Sequence, residues 1–388
     1  MNCYVRTIFL IWLYKKFKLF HSYANLYDVC DSRLKVLFSQ YILYKAGYYD
    51  LAFLKNEGRC YYLFNKSERL CLQSLINPQV CEKKLCRCER DLLHRNWAGI
   101  NDYLNSYSLP SFVGDKPWTV GNYFYPRISS EQKVSVIMTV RNAEETVEYA
   151  IASVLDQTFC NLELIVVDDY SEDDTYELVK KLARNDKRII LMKVERNLGT
   201  YRCRNLALTK ATGDFITTHD ADDLMHPQHI ELLVKSVKGD ASHKAAISYW
   251  VRFTRDGVVS SARGYPLLRL NLSSFLFKRE VLKDIPLWDE FTCGSDLYFF
   301  SECLEKYGSE GVVYIKKPLS ISLFTNTSLT VSSKTGVFTK EGRKLRSRYE
   351  DWWRRKLLKK YHPKILSVIN YLEQRCGLTS GIDDLNVK

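Results

Sequence analysis

Three aspartates, Asp220, Asp222 and Asp223, stand within four residues directly after the apolar run Asp214–Thr218. Carboxylates so crowded repel one another unless a cation or hydrogen-bond donors hold them. Oxygen-only ligands suit a hard ion such as Mg2+ or Mn2+ rather than zinc. A second acidic pair, Asp168-Asp169, closes the run Leu162–Val167, and Arg141-Asn142-Ala143-Glu144 follows a third run, Val134–Val140. Ser171-Glu172-Asp173 reads as a helix cap, a position these residue types favour. His219 and His226 flank the aspartate group and read as strand-end packing residues. No G-x-G-x-x-G follows the first run and no G-x-x-x-x-G-K-[ST] occurs anywhere. That excludes a dinucleotide fingerprint and a Walker loop. A diphosphate bound here would have to be neutralised by a metal held at Asp220 and Asp222.

Polar groups of this kind need rigid elements behind them. Val134–Val140, Leu162–Val167, Arg188–Val194 and Asp214–Thr218 are short, β-rich apolar runs of the type buried on both faces of a parallel sheet. Helix-length stretches separate them; in the first, Val147, Ile151, Val154 and Leu155 recur at spacings of three and four. The alternation predicts an α/β fold, a doubly wound and mostly parallel sheet with right-handed crossovers. Ligands of such sheets bind at the carboxyl ends of the strands. Chemistry is therefore expected just after Val140, Val167 and Thr218.

Composition and punctuation divide the rest. Residues 1–130 read as a helical region by their apolar spacing, closing in a linker marked by Pro110, Gly114, Pro117, Gly121 and Pro126. Tyr41–Leu54 resembles one tetratricopeptide-type joint, without a second copy at a fixed period. The α/β domain is expected over 131–333. Residues 334–388 form a basic helical region, with fourteen Lys and Arg against six Asp and Glu from Lys334 onward. Within it Tyr349–Tyr361 reads as a surface helix whose Trp352, Trp353, Arg354, Arg355, Lys356, Lys359 and Lys360 suit an anionic membrane surface.

The apolar stretch Ile8–Tyr14 falls far short of the roughly 20 residues that span a bilayer, and no small-residue cleavage site follows it. The chain is expected to be cytoplasmic, peripheral on the inner face of the membrane, with its twelve cysteines reduced. Cys81, Cys86 and Cys88 lack the paired C-x-x-C spacing of a structural zinc site and read as helical packing. The net charge of +12 calls for an anionic partner. With no zinc-finger, RRM or KH pattern, nucleic acid is not that partner.

From Val134 to His226 the sequence resembles the family 2 glycosyltransferases of GT-A fold. The matching blocks are Arg141-Asn142-Ala143-Glu144, Ser153-Val154-Leu155-Asp156-Gln157-Thr158, Val167-Asp168-Asp169-Tyr170-Ser171-Glu172-Asp173, Asn197-Leu198-Gly199 with Cys203-Arg204-Asn205, and Asp220-Ala221-Asp222. Trp250-Val251-Arg252, Gly294-Ser295-Asp296, Ser328-Leu329-Thr330 and Arg348–Trp353 resemble later elements of a subset that builds capsule and envelope polysaccharides. The resemblance implies a nucleotide-sugar donor, of the UDP type, and a saccharide or glycolipid acceptor. It implies donor contacts from Thr139, Arg141, Asn142, Glu144, Asp168, Arg204 and Asp220. It further implies Mn2+ or Mg2+ on Asp220 and Asp222, and Asp296 as the base of an inverting transfer. Thr139 and Arg141 stand where the family usually carries Pro and Tyr, which leaves the partner that stacks on the nucleotide base open. Tyr298 stands where the subset often has Glu. A nucleotidyltransferase and an inactive scaffold on the same fold are the competing readings. The first lacks its Gly-rich, Lys-bearing signature here, and the intact aspartates count against the second.

Overall fold

The computed structural model describes Leu13 and residues 85–260, 267–285, 287–324, 336 and 339–375. Outside these lie the joint at Tyr41–Leu54, Cys81, the Ser328-Leu329-Thr330 element and all of Ile8–Tyr14 except Leu13. The chain forms two compact units. The larger holds the described residues within Leu70–Glu290 and Ser295–Thr325; the smaller holds Phe291–Gly294 and those within Asn326–Lys388, with Leu13.

The larger unit is built on one sheet. Its strands are β1 (Val134–Val140), β2 (Leu162–Asp168), β3 (Ile189–Lys193), β4 (Phe215–Thr218), β5 (Asp223–Met225), β6 (Ala245–Phe253), β7 (Arg269–Leu270), β8 (Leu276–Lys278) and β9 (Val312–Leu323). They lie in the order β3-β2-β1-β4-β8-β6-β9-β5, with β7 beside β6. β3, β2, β1 and β4 are parallel, as the apolar runs predict, and β6 pairs parallel with β9 over nine positions. β8 enters antiparallel between β4 and β6, and β5 closes the far edge antiparallel to β9. The helices of this unit are α1 (Arg87–Arg95), α2 (Ile100–Asn105), α3 (Val147–Leu155), α4 (Thr175–Asn185), α5 (Thr200–Leu208), α6 (His229–Lys238) and α7 (Ser295–Tyr307).

β1 shows why a continuous apolar run makes a central strand. Val134, Val136, Met138 and Val140 enter one core with Val147, Ile151 and Val154 of α3, Val179 of α4 and Ile230, Leu233 and Val237 of α6. Ile137, from the alternate set, enters a second core with Cys203 and Ala207 of α5 and Phe299, Phe300 and Cys303 of α7. Both faces are thus covered by helices, the arrangement that favours apolar residues at every position. A third cluster joins Leu92, Ile100 and Leu104 of α1 and α2 to Val251, Phe253, Ile321 and Leu323 of β6 and β9. The first helices described are therefore packed on the sheet itself. Cys86 and Cys88, at the start of α1, are free thiols with their sulfurs 3.0 Å apart.

In the smaller unit, α8 (Lys340–Tyr361) is followed by α9 (Pro363–Arg375). Tyr349 stacks on Phe291 at 4.1 Å with the rings 7° from parallel. The sequence reading of α8 needs correction here. Trp353 is only 1% exposed, so it is a core side chain rather than an interfacial one. Arg354 bonds Glu350 and covers the Trp353 ring, and Arg355 pairs with Glu373 of α9. Lys356, Lys359 and Lys360 remain exposed. Among the described residues no helix is long and apolar enough to cross a membrane.

At the amino-terminal end of the parallel strands, buried Glu163 of β2 gathers four donors. It accepts from Ser135 Oγ at 2.7 Å, from the Thr212 backbone N–H at 2.6 Å, from Thr212 Oγ1 and from Lys133 Nζ. Burial alone would raise its pKa, but these bonds outweigh that and hold it at about 2. Its stabilising effect is complete above the ordinary glutamate value of 4.5 and is lost as the pH falls toward about 2. Glu163→Gln is expected to reduce the unfolding free energy at pH 7 by about 3 kcal/mol, the scale for breaking a buried ion pair. Urea denaturation at pH 7 checks it, and a change within error would show that Lys133 and Thr212 are satisfied by other groups.

Candidate active site

Because β2, β1 and β4 are neighbours, their carboxyl ends bring Asp168, Arg141 and Asp220 to one edge of the sheet. Asp168 is fully buried. Its Oδ1 accepts the Ser171 N–H at 3.1 Å, while Oδ2 is buried without a hydrogen-bond partner. Asp169 points to a different task. Its two oxygens accept the backbone N–H groups of Leu198 at 2.6 Å and Gly199 at 2.9 Å. Gly199 has φ +85°, a left-handed backbone that glycine takes without steric cost, and α5 starts at the next residue. Asp169 thereby anchors the entry of the helix that carries Arg204.

Asn142 and Glu144 hold the loop after β1 to the loop after β2. Ser171 Oγ accepts the Asn142 N–H at 3.1 Å, and Asn142 Oδ1 accepts the Glu172 N–H at 2.9 Å. Asp173 Oδ2 accepts the Glu144 N–H at 3.2 Å, and Glu144 Oε2 accepts the Asp174 N–H at 3.0 Å. Thr175 Oγ1 accepts the Ala143 N–H at 2.7 Å. The capping expected of Ser171-Glu172-Asp173 is carried by Asp173, whose Oδ1 accepts the N–H of Thr175, the first residue of α4, at 3.1 Å, while the N-cap Asp174 makes no side-chain cap bond. Thr139 lies half-buried in β1 opposite Val167, and Arg141 is exposed.

Arg204 is the centre of the arrangement. Its side chain is 3% exposed. Nη1 donates to Asp296 Oδ1 in a short ion pair, and Nη2 donates to Asp220 Oδ1 at 3.0 Å. The Tyr201 hydroxyl donates to Asp296 Oδ2 at 3.1 Å. The guanidinium also lies 5.5 Å from the Tyr201 ring and 6.0 Å from Trp288. Asn205, next in sequence, fixes Trp288 through both its backbone N–H and C=O. Burial opposes the charge on Arg204, but Asp296 and Asp220 outweigh it and raise its pKa. Asp296, in the first turn of α7, is raised by burial, with Arg204 opposing and Asp220 adding to the rise. Gly294, two residues before it, has φ +86°.

The aspartate group divides by partner. Asp223 Oδ1 accepts the Leu323 N–H at 3.2 Å, so this residue ties β5 to β9. Burial first, and then Asp222 and Asp220, hold its pKa well up. Asp222 is pushed up to about 7 by burial and by Asp220. His219 Nε2 bonds the Asp223 carbonyl and His226 Nε2 that of Pro110, and burial lowers both to about 4. Both histidines are packing residues, as read from the sequence. Among the described residues no group of three or more His, Cys, Asp or Glu is arranged to hold a metal ion.

With this geometry in place, comparison with known proteins is informative. Residues 135–305 match the model for Glycosyl transferase family 2. This segment therefore belongs to that family, and its mixed α/β sheet is of the GT-A type. An uncharacterized glycosyltransferase of Haemophilus influenzae is 40% identical over 98 residues, 25% of this chain and 39% of the relative. The Escherichia coli protein WfgD, a UDP-Glc:alpha-D-GlcNAc-diphosphoundecaprenol beta-1,3-glucosyltransferase, is 43% identical over 101 residues, 26% of this chain and 39% of its own. The structure of S. aureus TarS 1-349 in complex with UDP-GlcNAc aligns at 19% identity and TM-score 0.47 over 66% of this chain and 76% of that one. The match thus spans about two fifths of the length of these curated relatives.

Sequence reasoning named Asp168, Arg204, Asp220, Asp222 and Asp296, and the fold brings Arg204, Asp220 and Asp296 into direct contact. It noted Asp169 only as one of an acidic pair, without its anchoring role, and missed Tyr201. The adjacency of Asp169 to Asp168, and the Asn197-Leu198-Gly199 turn that needs an anchor, were the available signals. Arg204→Leu is expected to cost about 3 kcal/mol at pH 8, because it leaves two carboxyl groups without their cation. Without Arg204 the Asp296 carboxyl, already raised by burial, rises further in the folded state, so the defect should shrink toward pH 5. Thermal melts at the two pH values test this, and an equal loss at both would mean that packing, not charge, is what Arg204 supplies.

Proposed function

We propose that this chain is an inverting glycosyltransferase that moves a sugar from a UDP-sugar to a hydroxyl of a saccharide or glycolipid acceptor. The observation that carries this reading is the Asp220–Arg204–Asp296 bridge, which sets a strand-end aspartate of the donor edge beside a second carboxyl at a helix start. Asp168 supplies a buried acceptor oxygen for a base N–H. Asp296 accepts the proton of the attacking hydroxyl, and burial raises its pKa and so its basicity. Direct attack at the anomeric carbon breaks its bond to the diphosphate and inverts the centre. Arg204 holds Asp296 in place while Tyr201 fixes its second oxygen.

The donor set fits Mn2+ or Mg2+. Asp222 and Asp220 offer oxygen ligands, and burial and Asp220 raise Asp222 despite the opposing backbone hydrogen bond and Arg252. One or two carboxylates completed by substrate phosphates is a usual Mg2+ arrangement. Such an ion, when bound, supplies neutralisation of the departing nucleoside diphosphate. Asp296→Asn is expected to leave UDP binding intact while transfer falls by roughly 10²–10⁴-fold, the range for loss of a general base. Asp222→Ala is expected to abolish the metal dependence of UDP binding in calorimetry. Transfer at the wild-type rate by the first variant, or equal UDP affinity with and without metal in the wild type, would overturn the respective assignment.

Peripheral attachment to an anionic membrane surface is the third part of the proposal, supported by exposed Lys356, Lys359 and Lys360 on α8. Each such lysine is worth about 1 kcal/mol near an anionic surface. Flotation with phosphatidylserine vesicles should show binding that salt removes. Flotation indifferent to salt, or none, would remove this part.

A further inference from the structure

Away from the donor edge, the larger unit holds another concave site. A cavity of about 470 Å³ is lined by the rings of Tyr123, Phe124 and Tyr125 together with Thr158, Gln228 and Glu231. Its volume falls in the range of small-molecule sites, and so does its mixture of aromatic walls with a few polar groups. Thr158 lies in the loop that enters β2, whereas Asp168 closes that strand, so the cavity is at the other end of β2 from the donor edge. Phe124 is 91% exposed and Tyr123 47%. Apolar surface of this kind, rimmed by polar residues around a hollow, marks a place where a ligand docks.

The walls are held in place by the fold. Ile128 donates its N–H to the Thr158 carbonyl at 2.7 Å and accepts that of Cys160 at 3.0 Å, and the Tyr125 hydroxyl donates to the Ser111 carbonyl. The Thr158 hydroxyl donates to Glu231 Oε2 at 2.9 Å. Among the described residues, Glu231 Oε1 and the Gln228 side-chain amide make no hydrogen bond and are left for a ligand. Charge narrows the choice of ligand. Glu231 is the one charged residue in the lining, and it is acidic, although the chain as a whole carries +12. A nucleotide or an acidic polysaccharide would meet a carboxylate here with no cation to offset it. The chemistry that fits is neutral, apolar on its face and rich in hydroxyls at its edge. A pyranose ring has that form: its C–H groups pack on the negative face of an aromatic ring, and its hydroxyls bond a carboxylate or an amide.

We infer that this cavity is a saccharide-binding site separate from the donor edge, which grips a neutral stretch of the acceptor chain on Tyr123 and Phe124. The inference rests on the acceptor reading above and adds to it the class of saccharide and the place where it is held. Phe124 supplies the stacking surface, and Glu231 and Gln228 accept and donate to the sugar hydroxyls.

The test titrates cellohexaose, chitohexaose and hexagalacturonate, with UDP as the reference, into the full chain and into Phe124→Ala and Phe124→Tyr. Phe124→Ala removes an exposed ring, so it should melt within error of the wild type. The wild type should bind a neutral hexasaccharide and leave hexagalacturonate unbound. Phe124→Ala should bind that neutral oligomer roughly tenfold more weakly, the scale of one lost aromatic contact. UDP binding should be unchanged, and Phe124→Tyr should bring the oligosaccharide affinity back. Failure of both neutral oligomers to bind, or equal affinity in Phe124→Ala, would overturn the inference while leaving the donor reading intact. Hexagalacturonate bound as tightly as the neutral oligomers would overturn it too. So would a wild-type dimer that Phe124→Ala breaks in sedimentation, because a second copy would then fill the cavity. Oligosaccharide binding that depends on Phe124, in a chain that binds no UDP, would support this site and overturn the donor reading alone.

Discussion

A buried cation governs this site. Removing a guanidinium from water costs several kcal/mol unless well-placed acceptors compensate, and Arg204 is 3% exposed. Its charged compensation comes from Asp220, after β4, and Asp296, at the start of α7, far apart in sequence. Neither carboxyl can move without stranding the cation. Strand end and helix start are thereby held in one arrangement by a single group. The dependence runs further back. Arg204 is where it is because α5 begins at Thr200, and α5 begins there because Asp169 holds Leu198 and Gly199.

The acidic residues of this edge fall into two kinds according to what meets them. Asp169, Asp173 and Glu144 accept backbone N–H groups and so act as staples between loops. Asp223 belongs with them, through Leu323. Asp222 ties no second loop, and burial beside Asp220 lifts its pKa to about 7. Charge left in that condition favours a proton or a metal ion over solvent. The same local sequence, Asp220 to Asp223, therefore holds a partner of Arg204, a carboxyl raised by burial and a structural tie, distinguished only by their surroundings.

How much of this the sequence discloses depends on the range of the interactions involved. β1 and β2 are legible because seven-residue apolar runs face a core on both sides, and helix cover on both faces follows from that pattern. β5, β7 and β8 have two or three residues each, too few to show any period. Asp168 and Asp220 are legible as acids at strand ends. The latch of Asn142 and Glu144 onto residues 171–175 is not, since it joins loops about thirty residues apart through backbone groups that no side-chain pattern records. Trp353 misled for another reason. An aromatic among basic residues on a helix suits an interface and a core equally well, and only the position of the helix decides; here the ring is buried beneath Arg354.

The latch also explains how strained backbone persists at the strand ends. Left-handed turns at Asn142 and Tyr170 are disfavoured locally, and isolated loops would relax away from them. Five hydrogen bonds between residues 142–144 and 171–175, together with the Asp169 anchor, fix the chain on both sides of each turn. Relaxing either turn would break several of these bonds at once, at a cost above the strain relieved. Asn142 and Glu144, expected from the sequence as donor contacts, keep these turns still. Rigidity at Asp168 suits the proposed donor site, because a site already ordered loses less entropy when a ligand binds.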